Sequence, residues 1–561
     1  MYNKENAFLF RGGGGAMSTK ESLELEEITS ENPLLSSIRS IVETAFYGNN
    51  VQEVFDRKTA YQLAKGSPGT IITDITVSHA EEQDLPADAR TLVFNDGSIV
   101  GRTASARRIF EDLGKEQSKY EKILREAVYQ SRKRQFYHTK VIVGLSEEFS
   151  VQSHLLIPEG FEDNLYSYIL NFQPANAKTL ATYQKSASFD EGDLYIFCDP
   201  EWTHEAFPNG LVLFDSLHNT AAVLGLRYFG ELKKATLTLA WALGNRNGFI
   251  ACHGGMKQYT SNDQTYTMAV FGLSGSGKST ITLAKHSEGH SVTILHDDAF
   301  VISRKNGFAT ALEPSYFDKT QDYPSNDPAI SSFLTCQNVG VTCTSKGEKV
   351  LVTGDIRNGN GRTVKSRYAT PDRVDHLNEK IDAVFWIMKD DSLPPIIKIN
   401  DPVLAASFGA TLATKRSDAE NITTKRQLDE LVIEPFANPF RVYPLREDYQ
   451  AFRELFVKQQ SACYVLNTGY FDDKKIKPET TLSIVERIVQ QTAEFKSFGP
   501  FEDIHYLPIP DFPVSFEDTS YKNLVKQRLD SRLRFIEAQI GKDLLPDEAK
   551  ESLENLIQKL N

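Results

Sequence analysis

The sequence predicts an α/β fold, in which a mixed α+β N-terminal domain precedes a C-terminal domain built around a phosphate-binding loop. Three observations predict it. Residues 272–279, Gly-Leu-Ser-Gly-Ser-Gly-Lys-Ser, match G-x-x-x-x-G-K-[ST] at every fixed position, between a strand-like run at 266–271 and a helix-like run at 279–285. A second apolar run at 291–296 ends in Asp297-Asp298. Short β-type runs mixed with helical ones fill the first half, as in α+β or mixed domains.

The loop comes first because it carries the most chemistry. Its glycines allow the tight turn that faces backbone N–H groups toward an anion at a helix start. Residues Gly272, Leu273, Ser274, Gly275, Ser276, Gly277, Lys278, Ser279 and Thr280 form the expected nucleotide site. Lys278 is expected to hold the β- and γ-phosphates as a point charge, and the Ser279 hydroxyl to reach the divalent ion that accompanies ATP. The plain alternative, a Gly/Ser turn without a ligand, explains neither the strand before it nor the helix after it. Asp297 and Asp298 emerge at the carboxyl end of a strand, where open α/β sheets bind ligands, and either could serve that ion. As turn or helix caps they would be structural only.

Bulk composition narrows the class. The chain has 561 residues, a net charge of -13, 40% hydrophobic and 24% charged residues. That length suits about two or three domains. The negative charge argues against general binding to nucleic acid or anionic membranes, and phosphate must then meet a local basic pocket. Five cysteines without C-x-x-C spacing point to reduced thiols in a cytoplasmic protein. No apolar run reaches membrane-spanning length. Residues 1–20, with Arg11 and four glycines before Met17, read as a flexible leader, residues 21–248 as the N-terminal domain and 249–561 as the C-terminal domain.

In chain order, 23–47 is acidic and helical. Residues 92–94 form a strand ending in the turn signal Asn95-Asp96-Gly97-Ser98, after which Arg102 stands beside a glycine and small residues. An arginine there suits a carboxylate or phosphate, although alone it is more often a solvated charge. A charged helix at 116–134 and strands at 141–145, 194–197 and 211–214 follow. Lys233 and Lys234 stand near the start of a helix running to 243, where cations oppose the dipole, which suggests an anionic or metal partner. His253 is expected at the end of a strand at 248–255. Beyond the loop come Arg367, a strand at 383–388, a small-residue segment at 407–415 expected to move, a strand at 464–466, and helices at 480–491 and 547–560.

These pieces, in this order, resemble the ATP-dependent phosphoenolpyruvate carboxykinases, of which this chain looks like a divergent member. The resemblance runs from about residue 93 onward and rests on the Tyr228-to-Lys234 segment, the His253 turn, the phosphate loop, Asp297-Asp298, Leu393-Pro394-Pro395 and Asn467-Thr468-Gly469. It implies that family's two-domain fold and conversion of oxaloacetate and ATP to phosphoenolpyruvate, CO2 and ADP in gluconeogenesis. It also implies that Lys234, His253 and Asp298 bind a catalytic manganese ion, with Ser279 on the magnesium of ATP. Arg102, Tyr228, Lys234 and Arg367 would bind substrate, and Lys475 and Thr481 would lie near the adenine. Lys234, His253, Arg367, Lys278 and Asp298 form the implied catalytic set.

Three loops depart from the family pattern: residues 103–106, 254–257 and 299–302. The metal and phosphate set is kept while these differ. Two other functions therefore stand beside the first. One is a kinase of the same fold acting on another small hydroxyl compound or a protein serine; the other is an ATP-binding regulatory protein without catalysis. Retention of both Arg102 and Arg367 favours a dicarboxylate substrate. The expected partners are small molecules and ATP or ADP, with no nucleic acid or membrane, on a monomer or small homo-oligomer.

Overall fold

The computed structural model describes residues 34–95, 101–261, 264–273, 275–284, 291–356, 359–415 and 431–561, with isolated positions at 25–27, 29, 32 and 99. The expected leader, the turn residues Asp96, Gly97 and Ser98, and Ser274 lie outside the described residues. The molecule is a mixed α/β protein that divides into two compact units. Unit one holds Met1–Leu243, Lys319–Ile356 and Gly361–Val364, and unit two holds Gly244–Asp318, Arg357–Asn360 and Lys365–Asn561.

Unit one is organised on a mixed sheet. Strands β1 (Phe136–Val143), β2 (Val151–Pro158), β3 (Leu194–Asp199), β4 (Leu211–Asp215) and β5 (Thr220–Leu224) pair β1 with β2 antiparallel, β2 with β3 and β3 with β5 parallel, and β5 with β4 antiparallel. Every residue of β3, β4 and β5 is buried. Such continuous apolar runs arise when both faces of a strand are covered. Helix α1 (Gln117–Ser131) lays Tyr120, Ile123, Leu124 and Ala127 on this core, a spacing of three and four residues that places them on one face. The expected helix at 23–47 is realised as Ser37–Ala45, begun by Ser36, whose hydroxyl accepts from Arg39 N. Helix α2 (Phe229–Arg246) follows.

Unit two carries the loop. Its central strands are β6 (Phe249–Ser261), β7 (Gln264–Phe271), β8 (Ser291–His296), β9 (Ala299–Ser303), β10 (Ala383–Met388), β11 (Ile396–Ile399) and β13 (Ala462–Asn467), with β12 (Ala413–Lys415) in a separate two-stranded ladder. β7 runs parallel to β10, and β10 to β13. β6 changes partner midway: it pairs with β9 over Phe249 to His253, then with β7 from Gly254 to Ser261. His253 therefore stands inside a long strand, not at its end. The glycines after it allow this continuation, because a Cβ on Gly254 would lie 2.7 Å from Val270 O and one on Gly255 2.0 Å from Thr282 Oγ1.

The small-residue segment at 407–415, expected to move, forms regular and packed structure. It belongs to helix α4 (Pro402–Ala410) and to β12, and Leu404 to Ala410 are all buried. Asp401 caps the helix by accepting from Leu404 N, and Pro402 starts it. The small residues serve close packing, since a Cβ on Gly409 would lie 2.7 Å from the Phe436 ring and 2.8 Å from Trp386. Helix α5 (Pro478–Val489) buries Ile484, Val485 and Ile488 against β7, β10 and β13. Among the described residues no helix is long and apolar enough to cross a membrane.

Candidate active site

Strand β7 is exposed where it begins and buried where it ends, so it delivers the loop from the core. Gly275 and Gly277 take φ of +78° and +96°, a region that costs L-residues and not glycine. Helix α3 (Lys278–Leu283) starts directly after. A Cβ on Gly272 would lie 2.4 Å from Ser276 Oγ and 3.0 Å from Ile387 Cβ, so the first glycine lets the loop close on β10. The loop is braced from β13: Thr468 Oγ1 donates to Ser276 O at 2.8 Å, and Thr468 N to Met388 O at 3.0 Å. Ser279 and Thr280 are exposed, and Lys278 is buried.

Beside the loop, His253, Lys278 and Asp298 meet. His253 Nδ1 donates to Ala437 O at 2.5 Å, which assigns the proton to Nδ1 and turns Nε2 toward Asp298 Oδ1, 3.2 Å away. Lys278 Nζ lies 3.5 Å from the same oxygen. The turn holding Asp298 is built by His296, whose Nδ1 accepts from Asp298 N at 3.0 Å and Ala299 N at 3.1 Å, and whose Nε2 donates to Ser315 O at 3.2 Å. The two acids differ sharply. Asp298 keeps its side chain 22% exposed beside His253 and Lys278. Asp297 is buried, and burial first, then the Asp318 carboxylate, raise its pKa to about 6 although Lys278 and Lys365 oppose this. Lys365 pairs with Asp318.

The remaining residues of unit two are more dispersed. Arg367 makes a two-pronged pair with Asp375, both contacts at 3.1 Å. Lys475 is exposed in a hairpin opposite Tyr470, and Thr481 is buried in the first turn of α5. In unit one, Arg102 and Tyr228 are buried, and Thr103 N donates to Glu231 Oε1 at 2.9 Å. Burial raises the Glu231 pKa while Arg102 and Arg107 pull it down. Gly230 is where the Tyr228 ring folds back, since a Cβ there would meet the ring at 2.3 Å. Lys234 stands over the Trp241 ring at 5.7 Å, one face along α2. Glu231 in the first turn offsets the lysines that follow.

Sequence reasoning gave no role to Glu231, His296, Ala437 or Thr468, although Glu231 and Thr468 stand in the Tyr228-to-Lys234 and Asn467-Thr468-Gly469 stretches that carry the resemblance, and His296 stands immediately before the acidic pair. Among the described residues, no group of three or more His, Cys, Asp and Glu side chains comes together as a preformed cation cage.

A strand, a glycine loop and a helix, with a histidine, a carboxylate and a lysine beside them, define a P-loop nucleotide-binding α/β protein. The family model described as phosphoenolpyruvate carboxykinase matches residues 67–510, and the chain belongs to the ATP-type phosphoenolpyruvate carboxykinase family. It is 25% identical over 296 residues to a phosphoenolpyruvate carboxykinase (ATP) of Aeropyrum pernix, covering 51% of this chain and 59% of that protein. It is 28% identical over 123 residues to the protein of the same description from Dictyostelium discoideum, covering 21% of this chain and 20% of the relative. The chain thus matches less than two thirds of the length of either relative.

Proposed function

We propose that the chain is an ATP-dependent phosphoenolpyruvate carboxykinase, converting oxaloacetate and ATP to phosphoenolpyruvate, CO2 and ADP in the cytoplasm in the gluconeogenic direction. The observation that carries this reading is the meeting of His253, Lys278 and Asp298 beside a complete P-loop in a member of this family.

The donors suit a divalent ion. With its proton on Nδ1, His253 presents a lone pair at Nε2, 3.2 Å from a carboxylate oxygen. Two such atoms repel unless a cation or proton joins them, and imidazole nitrogen with carboxylate oxygen is a set that manganese accepts. His253 and Asp298 would hold that ion together with Lys234, and Ser279 would hold the magnesium of ATP. When bound, these ions stabilise developing negative charge on oxygen.

The chain's own residues do the rest. Arg102, Tyr228 and Arg367 hold the carboxylates of oxaloacetate, and arginine suits them because its fork matches a carboxylate. Loss of CO2 leaves its bonding electron pair on the three-carbon fragment as an enolate. The enolate oxygen then attacks the γ-phosphorus and ADP leaves. Lys278 follows the charge that moves to the phosphate oxygens, and Lys234 must be neutral to ligate. Lys475 and Thr481 stand on the adenine side.

Two of the three departures from the family pattern are buried sheet residues: 254–257 lie in β6 and 299–302 in β9. They alter packing more readily than substrate choice. Residues 103–106 keep Ala104 and Ser105 exposed, and this segment alone favours a kinase acting on another hydroxyl compound. Phosphorus NMR of the purified chain with ATP, manganese and oxaloacetate tests the reading. Oxaloacetate-dependent phosphoenolpyruvate supports it. ATP binding without that product defeats it, and screening small hydroxyl compounds and protein serines then separates the kinase from a non-catalytic ATP-binding protein.

A further inference from the structure

Three lysines stand at strand ends around the loop of unit two. Lys389 directly follows β10; its backbone N–H donates to Ala413 O at 3.1 Å, and its Nζ donates to Gly275 O of the loop at 3.1 Å. Lys415 ends β12, two residues after Ala413. Lys475 lies in the hairpin formed by β14 (Tyr470–Phe471) and β15 (Lys474–Lys475). That hairpin closes on Lys389: Ile476 N donates to Gly469 O at 3.0 Å, and a Cβ on Gly469 would lie 3.3 Å from Lys389 Cα. Three separate backbone constraints therefore bring the lysines to one place.

The arrangement is electrostatically costly as it stands. Lys389 is partly buried, and burial first, then the charges of Lys415 and Lys475, push its pKa down. Among the described residues no carboxylate pairs with any of the three. Lys278, in contrast, has Asp298 beside it. Like charges gathered at a partly buried position are unfavourable without an anion and favourable around one. A carbonyl oxygen of the loop is a weaker partner for an ammonium group than a phosphate oxygen.

Resting on the ATP reading above, we propose that Lys389 and Lys415 extend the nucleotide site as a second cationic wall beside Lys475, and that Lys389 exchanges the Gly275 carbonyl for a phosphate oxygen. Lys278 serves the β- and γ-phosphates and Lys475 stands on the adenine side, so Lys389 serves the phosphates nearest the nucleoside. These are shared by nucleoside diphosphates and triphosphates.

Calorimetric titration of ATP and of ADP, each with magnesium, into the wild-type, Lys389→Met and Lys389→Arg chains tests this, with thermal melts of each chain without nucleotide. The expected result is that Lys389→Met weakens both nucleotides by about tenfold and by similar factors, while Lys389→Arg stays within about threefold of wild type. Without nucleotide, Lys389→Met melts at the wild-type temperature or above it, because a like-charge contact is gone. Wild-type affinity in Lys389→Met, or weakening of ATP alone, overturns the assignment. So does a lowered melting temperature with affinity unrestored by arginine, which would make Lys389 only a brace of the loop. A wild-type chain that binds neither nucleotide removes the ATP reading along with this one, whereas a wild-type chain that binds both beside an unaffected variant removes this one alone.

Discussion

His253 and Ala437 are joined by a 2.5 Å hydrogen bond across 184 residues of sequence, and the carbonyl that accepts it belongs to a residue with φ of +53°. Phe436 before it has the same φ. Two successive L-residues in the left-handed region cost roughly 1–2 kcal/mol each, so tertiary packing must hold this carbonyl in place. Phe436 is stacked on Phe452 at 4.8 Å and meets Trp386 edge-on, which supplies that packing. Replacing Ala437 by glycine keeps the carbonyl and relieves part of the cost. The expected outcome is a stability gain of up to about 1 kcal/mol with unchanged turnover, read by denaturant unfolding and a steady-state assay. Loss of turnover in a well-folded Ala437→Gly chain would show that the left-handed alanine does more than present an acceptor.

The two acids after β8 are predicted to separate by function. Asp298→Asn removes the charge beside His253 and Lys278, and kcat/KM should fall by about 100-fold with weakened manganese binding. Asp297→Asn removes a buried carboxylate repelled by Asp318 and should leave manganese affinity within about threefold of wild type. Manganese titration followed by electron paramagnetic resonance distinguishes them. Undiminished manganese binding by the Asp298 variant would remove it as a ligand.

Lys257 gives a pH signature of stability. It is fully buried in β6, its Nζ donates to Ile281 O at 2.6 Å and Ala284 O at 3.3 Å at the end of α3, and burial pulls its pKa from 10.5 to about 7. Between these values the unfolded chain carries the proton and the folded chain does not. Stability contributed by this group therefore rises as pH increases from about 7 toward 10, by up to about 1.4 kcal/mol per pH unit. Lys257→Met should abolish that slope, at the cost of two carbonyls left without their donor. Urea unfolding of both chains at pH 7, 8 and 9 reads the difference, and parallel curves would contradict the prediction.

Arg367 and Asp375 each expose about a third of their side chains, 34% and 32%, so their pair should contribute under about 1 kcal/mol. Asp375→Asn should leave stability nearly unchanged and release Arg367 for substrate. Arg367→Lys keeps the charge and loses the fork, and should raise the KM for oxaloacetate by about tenfold or more with a smaller effect on the KM for ATP. Equal effects on both KM values would place Arg367 outside substrate recognition.

Much of unit two was legible because its signals are local. The apolar run of β10, buried at every position, can only be a central strand, and two glycines of the loop, Gly275 and Gly277, stand where positive φ is needed. The segment at 407–415 misled because small residues mark both mobility and close packing. Only the neighbours Phe436 and Trp386, packed against Gly409, decide between these. His253 misled in the same way, since two glycines after a strand suggest its end unless another element must approach there, as α3 does through Thr282.

By itself the sequence determined the loop, the strand and helix around it and the acidic pair, because each depends on residues within a few positions of one another. The tertiary structure decided which nitrogen of His253 holds the proton, which of the two acids stands beside it, and that Lys389 reaches Gly275 across 114 residues. The first two outcomes depend on the pairing of β6 with β9, which sets His253 beside the turn of Asp298, and the third on the parallel pairing of β7 with β10. Hydrophobic periodicity specifies which face of a strand is buried, and it carries no record of the strand's neighbour.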